Sequence, residues 1–528
     1  MSASTEKKLR QAAREAGTDR KQQAAERQAA EKAKSRRKWT LGTILVVILI
    51  AAILFLNSGF LYKGTTAITV DGVKFSPAEV NYRYASQFYN WANMYGNYAS
   101  MFGLDVSAGL HGLDSQECSM TEEGGTWADY FKDLAVDEMI QTKAIVDYAA
   151  AEGIELTEEE KAEIQAEIDS VDAVARQQGF AGANNFLDAN YGSGVNEKVA
   201  FEAACEGTLV NKAVTAYTDA LVYSAEELEE KYQSYNGDND YFDLVYYYVP
   251  AELVEAEDGS SAPTEETIAA ARATADEVFA AYEALGVTED EEGNEVAVEG
   301  LDVEQRLNDA IAQCGIDATA IRTAKVAGSG LGAYKDWAKA ERSEGDATVV
   351  ENTNASGYYV VAFISRDDNH YPLAQVRHIL VMAEADADGV YTDEAKAAAL
   401  ARAEEIYAEW QSGEATEESF AALAEQYSED GGSNTNGGLY DTVMKGQMVE
   451  EFDEFCFAGH ESGDTAIVYG ETLGGYAGYH VMYYVGEGQI ASDYMAESDL
   501  ANTAVQEWLA SLVEGYEAEK GFFFKLVG

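Results

Sequence analysis

The longest uninterrupted hydrophobic block comes early. Leu41 to Leu56 (LGTILVVILIAAILFL) carries no charge and is flanked by Trp39 and by Phe60-Leu61-Tyr62. With its flanks the run approaches the roughly 20 apolar residues that a hydrocarbon layer of about 30 Å requires. Lys32, Lys34, Arg36, Arg37 and Lys38 stand just before it. Because basic residues stay on the cytoplasmic side, the N-terminus is expected inside and everything after Tyr62 outside. A cleaved signal peptide is the rival reading, but the charged region is long and no small-x-small site follows the apolar run. The pattern predicts a retained single-pass transmembrane helix over 39–62, behind a cytoplasmic tail, 1–38, that is partly helical or disordered.

Beyond the block the periodicity is helical, then mixed. Ala67-Ile68-Thr69-Val70 is a short strand signal followed by the turn Asp71-Gly72. Ser76-Pro77-Ala78-Glu79 combines an N-cap, a proline at the first helical position and a capping-box glutamate. Further capping boxes stand at Thr157 to Glu160 and Ser224 to Glu227, and Trp127, Phe131 and Leu134 recur at helical spacing. Residues 67–235 are therefore expected to form a mostly helical domain. From Asp240 the texture becomes strand-like, rich in aromatic and β-branched residues over Phe242 to Val249 and again over Tyr358 to Ile364. Helical stretches are expected between them at 264–285 and 303–314.

The segment 374–487 repeats the plan of 240–368. Leu244-Val245-Tyr246-Tyr247-Tyr248-Val249 lies against Val376-Arg377-His378-Ile379-Leu380-Val381, Ser343-Glu344-Gly345-Asp346 against Glu461-Ser462-Gly463-Asp464, and Gly357-Tyr358-Tyr359-Val360 against Gly478-Tyr479-His480-Val481. Anchor points in the same order at similar spacing indicate an internal duplication. A last helix is expected within 488–528, with Leu500, Ala504, Trp508 and Leu512 on one face.

Charge removes one class of function. The formal net charge is −58, although the first 38 residues are basic; the remainder holds 24 Lys and Arg against 89 Asp and Glu, a net −65. Phosphate contacts depend on Lys and Arg, so nucleic acid is rejected as a partner. The acidity reads as a solvated surface that resists association. Cys118, Cys205, Cys314 and Cys456 form no CxxC pair, and with five His in the chain no zinc site is expected. Outside the membrane a disulfide is permitted, and the sequence does not choose among the three pairings. Two acidic stretches, Glu384 to Gly389 and Asn236 to Asp240, have the look of calcium loops but lack a terminal bidentate ligand.

The second copy carries the chemistry. Val376-Arg377-His378-Ile379-Leu380-Val381, the helix face Phe420, Leu423, Ala424 and Tyr427 followed by Ser428-Glu429-Asp430, the stretch Asn436-Gly437-Gly438-Leu439, then Lys445-Gly446-Gln447-Met448-Val449 with Phe452, and finally Gly478-Tyr479-His480-Val481 together resemble a parvulin-type prolyl isomerase domain. The match spans about 110 residues of 374–487. The resemblance implies that Leu439, Met448 and Phe452 form a proline pocket, that His378 and His480 shape its floor, and that Asp430 faces the reacting carbonyl. It implies no metal and no cofactor. A hydroxyl residue expected just before the last strand is replaced by Gly474-Gly475-Tyr476-Ala477, with Thr472 nearby.

The residues themselves also admit plainer readings. Two His on adjacent strands can simply satisfy each other, Met448 and Phe452 can be core, and Asp430 can be a turn residue. In the first copy Tyr246 and Tyr359 stand where the second has His378 and His480, and the Lys-Gly-Gln-Met-Val stretch is missing. The whole chain is similar to the PrsA and SurA class of secretion foldases. The expected fold is multidomain α+β: a transmembrane helix at 39–62, a helical chaperone domain at 67–235 completed by 488–528, a degenerate parvulin-like domain at 240–368 and a parvulin isomerase at 374–487. The resemblance implies a peptidyl-prolyl isomerase and chaperone for exported chains containing X–Pro bonds. The alternative is a catalytically weak holdase that binds extended secreted chains.

Overall fold

The computed structural model describes residues 2–16, 34, 38–40, 43–50, 59–121, 124–255, 260–289, 295–298, 300–354, 356–387, 389–472 and 475–528. Residues 43–50 are helical. Among the described residues no helix is long and apolar enough to cross a membrane, and much of the span expected over 39–62, namely 41–42 and 51–58, lies outside them. The chain divides into two compact units, residues 1–221 with 503–528, and residues 222–502.

In the first unit the strand signal becomes a hairpin of β1 (Ile68–Val70) and β2 (Val73–Phe75), turned through Asp71 and Gly72, both at positive φ. Ser76 and Glu79 exchange side-chain and backbone hydrogen bonds at the start of α1 (Pro77–Tyr95), closing the expected capping box. Helices α2 (Trp127–Glu152), α3 (Glu158–Gln177), α4 (Ala183–Tyr191) and α5 (Glu197–Asp219) follow. The helical spacing of Trp127 and Phe131 puts both in one core with Tyr84 and Phe88 of α1.

The second unit begins one helix earlier than the sequence suggests. Helix α6 (Ala225–Ser234) was expected within 67–235, but its Leu228 and Tyr232 pack with Ala496, and the Tyr232 hydroxyl donates to buried Asp240 at 2.9 Å. The first copy then runs β3 (Tyr241–Pro250), α7 (Glu265–Leu285), α8 (Val303–Gln313), β4 (Ile321–Ala327), β5 (Ala347–Asn352) and β6 (Gly357–Asp367). The second runs β7 (Pro372–Met382), α9 (Asp393–Ser412), α10 (Glu417–Tyr427), β8 (Leu439–Val443), α11 (Glu450–Cys456), β9 (Thr465–Glu471) and β10 (Ala477–Ile490). Helix α12 (Ala491–Val513) leaves the second unit and enters the first, where β11 (Ala518–Lys520) pairs antiparallel with β1.

The two copies form antiparallel sheets of the same order, β4-β3-β6-β5 and β8-β7-β10-β9. Their registers coincide as well. Tyr246 faces Val361 and Tyr248 faces Tyr359; at the matching places His378 faces Met482 and Leu380 faces His480. Each central pair buries one face under two helices. Val245 and Val360 pack with Ala275 and Leu307 of α7 and α8, and Ile379 and Val481 pack with Ala403 and Phe420 of α9 and α10. Because side chains alternate along a strand, the opposite face of each sheet carries the other set, which holds Leu244, Tyr246 and Val361 in the first copy and Val376, His378 and Met482 in the second.

Candidate active site

The face of the second sheet opposite α9 and α10, on which α11 packs, is where the candidate residues meet. His378 and His480 project from the two central strands and are only 3 % and 4 % exposed. Their rings lie at 5.1 Å and 27°, with the two Nδ1 atoms 3.0 Å apart. Phe452, 1 % exposed on α11, stands edge-on to both, at 5.4 Å and 78° to His378 and at 5.2 Å and 88° to His480. Met448 is half-buried in the same cluster.

Asp430 is brought over His378 by the loop after α10. Ser428 ends that helix, and its Oγ accepts the Leu380 amide at 3.1 Å and the Asp430 amide at 3.3 Å. The Glu429 amide donates to the Leu380 carbonyl at 3.0 Å, and the Glu429 carboxylate accepts the Met382 amide. The loop is thereby fastened along the end of β7, which leaves Asp430 Oδ2 2.9 Å from His378 Nε2. The same oxygen accepts from Tyr440 at 3.0 Å and from the Ser433 hydroxyl, while Oδ1 accepts the Gly432 amide at 3.1 Å. These donors, His378 first, hold the Asp430 carboxyl well below the usual carboxylate range against the opposing effect of partial burial.

An ionised carboxylate can only accept, so the proton between Asp430 and His378 sits on His378 Nε2. Burial, together with the neighbouring His378, pushes the His480 imidazole down to about 3, so it is neutral and carries one proton. On the far side the Tyr476 hydroxyl lies 2.9 Å from His480 Nε2. One direction of donation satisfies the contacts throughout: Tyr476 to His480 Nε2, His480 Nδ1 to His378 Nδ1, and His378 Nε2 to Asp430. Burial and the nearby carboxylate raise both tyrosines, Tyr440 to about 12. The site is therefore a chain of donors ending on the Asp430 carboxylate, beside an aromatic and thioether wall.

One expected residue stands elsewhere. Leu439 pairs with Arg377 on β7, whose side chain reaches Glu417 of α10 at 2.9 Å, so Leu439 is on the helix-covered face and not beside the His pair. Its neighbour Tyr440 pairs with Val376 and faces the site, its ring 5.3 Å from that of His378. With a side-chain period of two, a shift of one residue exchanges the faces. The extra residue is visible in the sequence as Leu439 and Tyr440 ahead of Met448, but only strand pairing decides between them. Tyr476 fills the place where a small hydroxyl was expected; Thr472 instead accepts the Tyr476 amide at 3.1 Å and shapes the turn. Ser433, fully buried, was visible only as a loop residue.

Glycine at 438 is a requirement of this arrangement. Its φ is +72°, its carbonyl accepts the His378 amide at 2.9 Å, and an added Cβ would lie 2.2 Å from the His378 carbonyl oxygen. Among the described residues no cluster of His, Cys, Asp or Glu is arranged to hold a metal ion. Asp386, in the first calcium-like stretch, accepts the Val390 amide at 2.9 Å and closes a turn. All four cysteines are free.

Comparison with known proteins places these observations. Residues 358–482 match the family model of the PPIC-type PPIase domain, Rotamase_3, an interval that contains every residue of the network just described. The chain thus carries a parvulin-type domain in its second copy. Over 104 residues it is 38 % identical to the chaperone SurA of Hahella chejuensis, covering 19 % of this chain and 21 % of that one, so it spans about a fifth of the length of this curated relative. Among solved structures, PrsA from Bacillus subtilis is 25 % identical with 27 % and 49 % of the two chains covered and a TM-score of 0.18. The foldase protein PrsA from Streptococcus pneumoniae is 10 % identical with 77 % and 96 % covered and a TM-score of 0.25.

Proposed function

We propose that this protein is a membrane-anchored peptidyl-prolyl cis–trans isomerase and chaperone that assists exported chains outside the cytoplasmic membrane. The observation that carries the reading is the coincidence of the PPIC-type match with a buried His378–His480–Asp430 network backed by Phe452. Rotation about an X–Pro bond is slow because it destroys amide resonance, a barrier of roughly 18–20 kcal/mol. A site accelerates it by holding the twisted imide better than either planar form, without a nucleophile or a metal. Phe452, Met448 and the ring of Tyr440 supply apolar walls for a pyrrolidine ring. Asp430 fixes the orientation of the His378 ring, and through it that of His480, so that the floor presents preset dipoles that need no reorganisation during the rotation.

Residues 39–62 form the anchor in this reading, with 1–38 cytoplasmic and the rest outside, as the basic flank requires. The first copy, 240–368, is a related domain that keeps the sheet and has tyrosines in place of the two His. The helical segment 67–219 with the C-terminal strand holds unfolded chains, as a chaperone domain does. The test is a proline-peptide isomerisation assay on the full chain in detergent, with Phe452→Ala and Asp430→Ala. Wild type should accelerate the interconversion, and each variant should lose about tenfold or more in kcat/KM, the scale of removing a fixed electrostatic or packing contact. An inert wild type would overturn the isomerase, and aggregation suppression without isomerisation would then leave the holdase; an active wild type with variants equally active would overturn the assignment of the site.

A further inference from the structure

The first copy lacks the His pair, yet its edge strand β4 carries an irregularity that reaches the second copy. Opposite β3, Phe242 pairs with Val326 and Leu244 with Thr323, so Ala324 and Lys325 together oppose Asp243. This is a β-bulge, and Lys325 takes φ +52°, an unfavourable conformation for a residue with a side chain. The freed Lys325 amide is held by Asp243 Oδ1 at 2.8 Å. Bulges re-aim side chains, and this one sends the Lys325 ammonium to Asp453 Oδ2, 3.4 Å away in the second copy.

Asp453 follows Phe452 directly on α11, and its carboxylate is largely buried. Its other oxygen accepts the Gly446 amide at 2.6 Å, closing the segment that carries Met448 against the helix that carries Phe452. Gly446 itself has φ +78°, and a Cβ there would lie 3.5 Å from Lys325 Cδ. A second link runs beside it. Lys445 pairs with Asp367 of β6 at 2.8 Å, its ammonium sits 3.9 Å from the Tyr371 ring centroid, and its amide donates to the Tyr371 hydroxyl at 3.1 Å. The stretch that sets the pocket wall is thus tied at both ends to residues of the first copy and the connection after it.

We infer that Lys325 is a positioning residue for the isomerase pocket: the first copy holds the Met448–Phe452 wall through the Lys325–Asp453–Gly446 link. The inference rests on the proposed isomerase only for its kinetic consequence. Because the Lys325 ammonium is mostly exposed, the link adds little to overall stability, and its effect falls on the geometry of the segment. Lys325→Ala in the full chain should raise KM for a proline peptide about 2- to 5-fold with kcat within about twofold, the range an exposed ion pair spans. Lys325→Arg should restore KM. Raising salt to about 1 M, where the screening length is about 3 Å, should bring wild type toward the Lys325→Ala value.

A second readout does not depend on catalysis. Hydrogen exchange at the Gly446 amide should quicken about 2- to 5-fold in Lys325→Ala, by the same weakening of its carboxylate acceptor, and remain at the wild-type rate in Lys520→Ala, which removes a surface pair with Asp133. Should wild type prove inert toward prolines, the proposed activity fails and this exchange measurement still decides the link. Unchanged Gly446 exchange in Lys325→Ala, or a fall in kcat with KM constant, would overturn the inference.

Discussion

Acidification should weaken the second sheet through His480 in a way that can be computed before it is measured. In the folded chain burial and the adjacent His378 hold this imidazole down to about 3, against 6.5 for an unperturbed His. The folded value lies below the unfolded one, so between those limits the unfolded state binds the extra proton. Stability is therefore fully present above about pH 6.5 and falls as pH drops toward 3. Each pH unit inside that window costs about 1.4 kcal/mol for a single proton. From pH 7 to 4.5 only about two units lie inside it, which gives a loss of about 3 kcal/mol. Asp430 acts with the same sign, since its folded value is also depressed, but its contribution is lost only below the ordinary carboxylate range. His370 opposes both: Glu229 and Asp368 raise it, so its contribution is present at low pH and disappears as pH rises.

The comparison that isolates His480 is with His480→Gln, which keeps a donor and an acceptor and does not titrate. Amide exchange over 478–484, corrected for the intrinsic pH dependence, reads the opening free energy of β10 in the intact chain. Wild type should lose about 3 kcal/mol relative to His480→Gln between pH 7 and 4.5. Imidazole NMR should show the His480 ring still neutral at pH 4.5. A wild-type-minus-variant difference that is flat across this window, or an imidazole that titrates near 6.5, would refute the buried neutral pair.

Three further outcomes follow from single contacts. Tyr440→Phe removes one donor from Asp430 and should lower kcat/KM about 3- to 10-fold, whereas Leu439→Ala on the opposite face should stay within about twofold; the reverse ranking in the peptide assay would restore Leu439 to the pocket. Gly438→Ala sets a Cβ against the His378 carbonyl at a positive φ and should cost at least about 2 kcal/mol, read as lost exchange protection along β7 and β8. Asp240→Ala removes the buried acceptor of the Tyr232 hydroxyl and the partner of the Arg366 guanidinium; a loss of about 1–2 kcal/mol in the opening of peptides from α6 and β3 is expected, and no loss would show that the α6 boundary rests on apolar packing alone.

Local signals carried much of this fold. Capping boxes at Ser76, Thr157 and Ser224 start helices because they meet backbone donors with side chains two or three residues away, which is information the sequence holds in one place. The aromatic and β-branched runs gave the central strands, and the spacing of His378 and His480 around the duplication put both on one sheet face. What escaped depends on pairing between distant segments. β11 is three residues long and has meaning only against β1, some 450 positions away. Leu439 and Tyr440 differ by a single register step, and no periodicity on an eight-residue scale fixes which one faces inward. Tyr476 replaces a small hydroxyl by reaching from further off, which composition cannot reveal.

The duplication separates what the sheet requires from what the site requires. Both copies bury apolar side chains on each face in the same register, so the fold survives in either. The network is different in kind. His378 must donate to Asp430 and accept from His480, and His480 must accept from Tyr476, so every ring nitrogen needs a partner of the correct sense. Tyrosine has one hydroxyl at the end of a long ring and cannot relay donation through two atoms on one side chain. Once Tyr246 and Tyr359 occupy the two central positions, as they do with rings 5.4 Å apart, the relay has no members to couple, while aromatic packing keeps the face filled. Stability therefore does not require such a network, and a copy without it can still contribute through contacts it makes elsewhere. The bulge at Lys325 makes one such contact: Asp243 of its own sheet holds its amide, and the carboxylate its ammonium reaches lies next to Phe452.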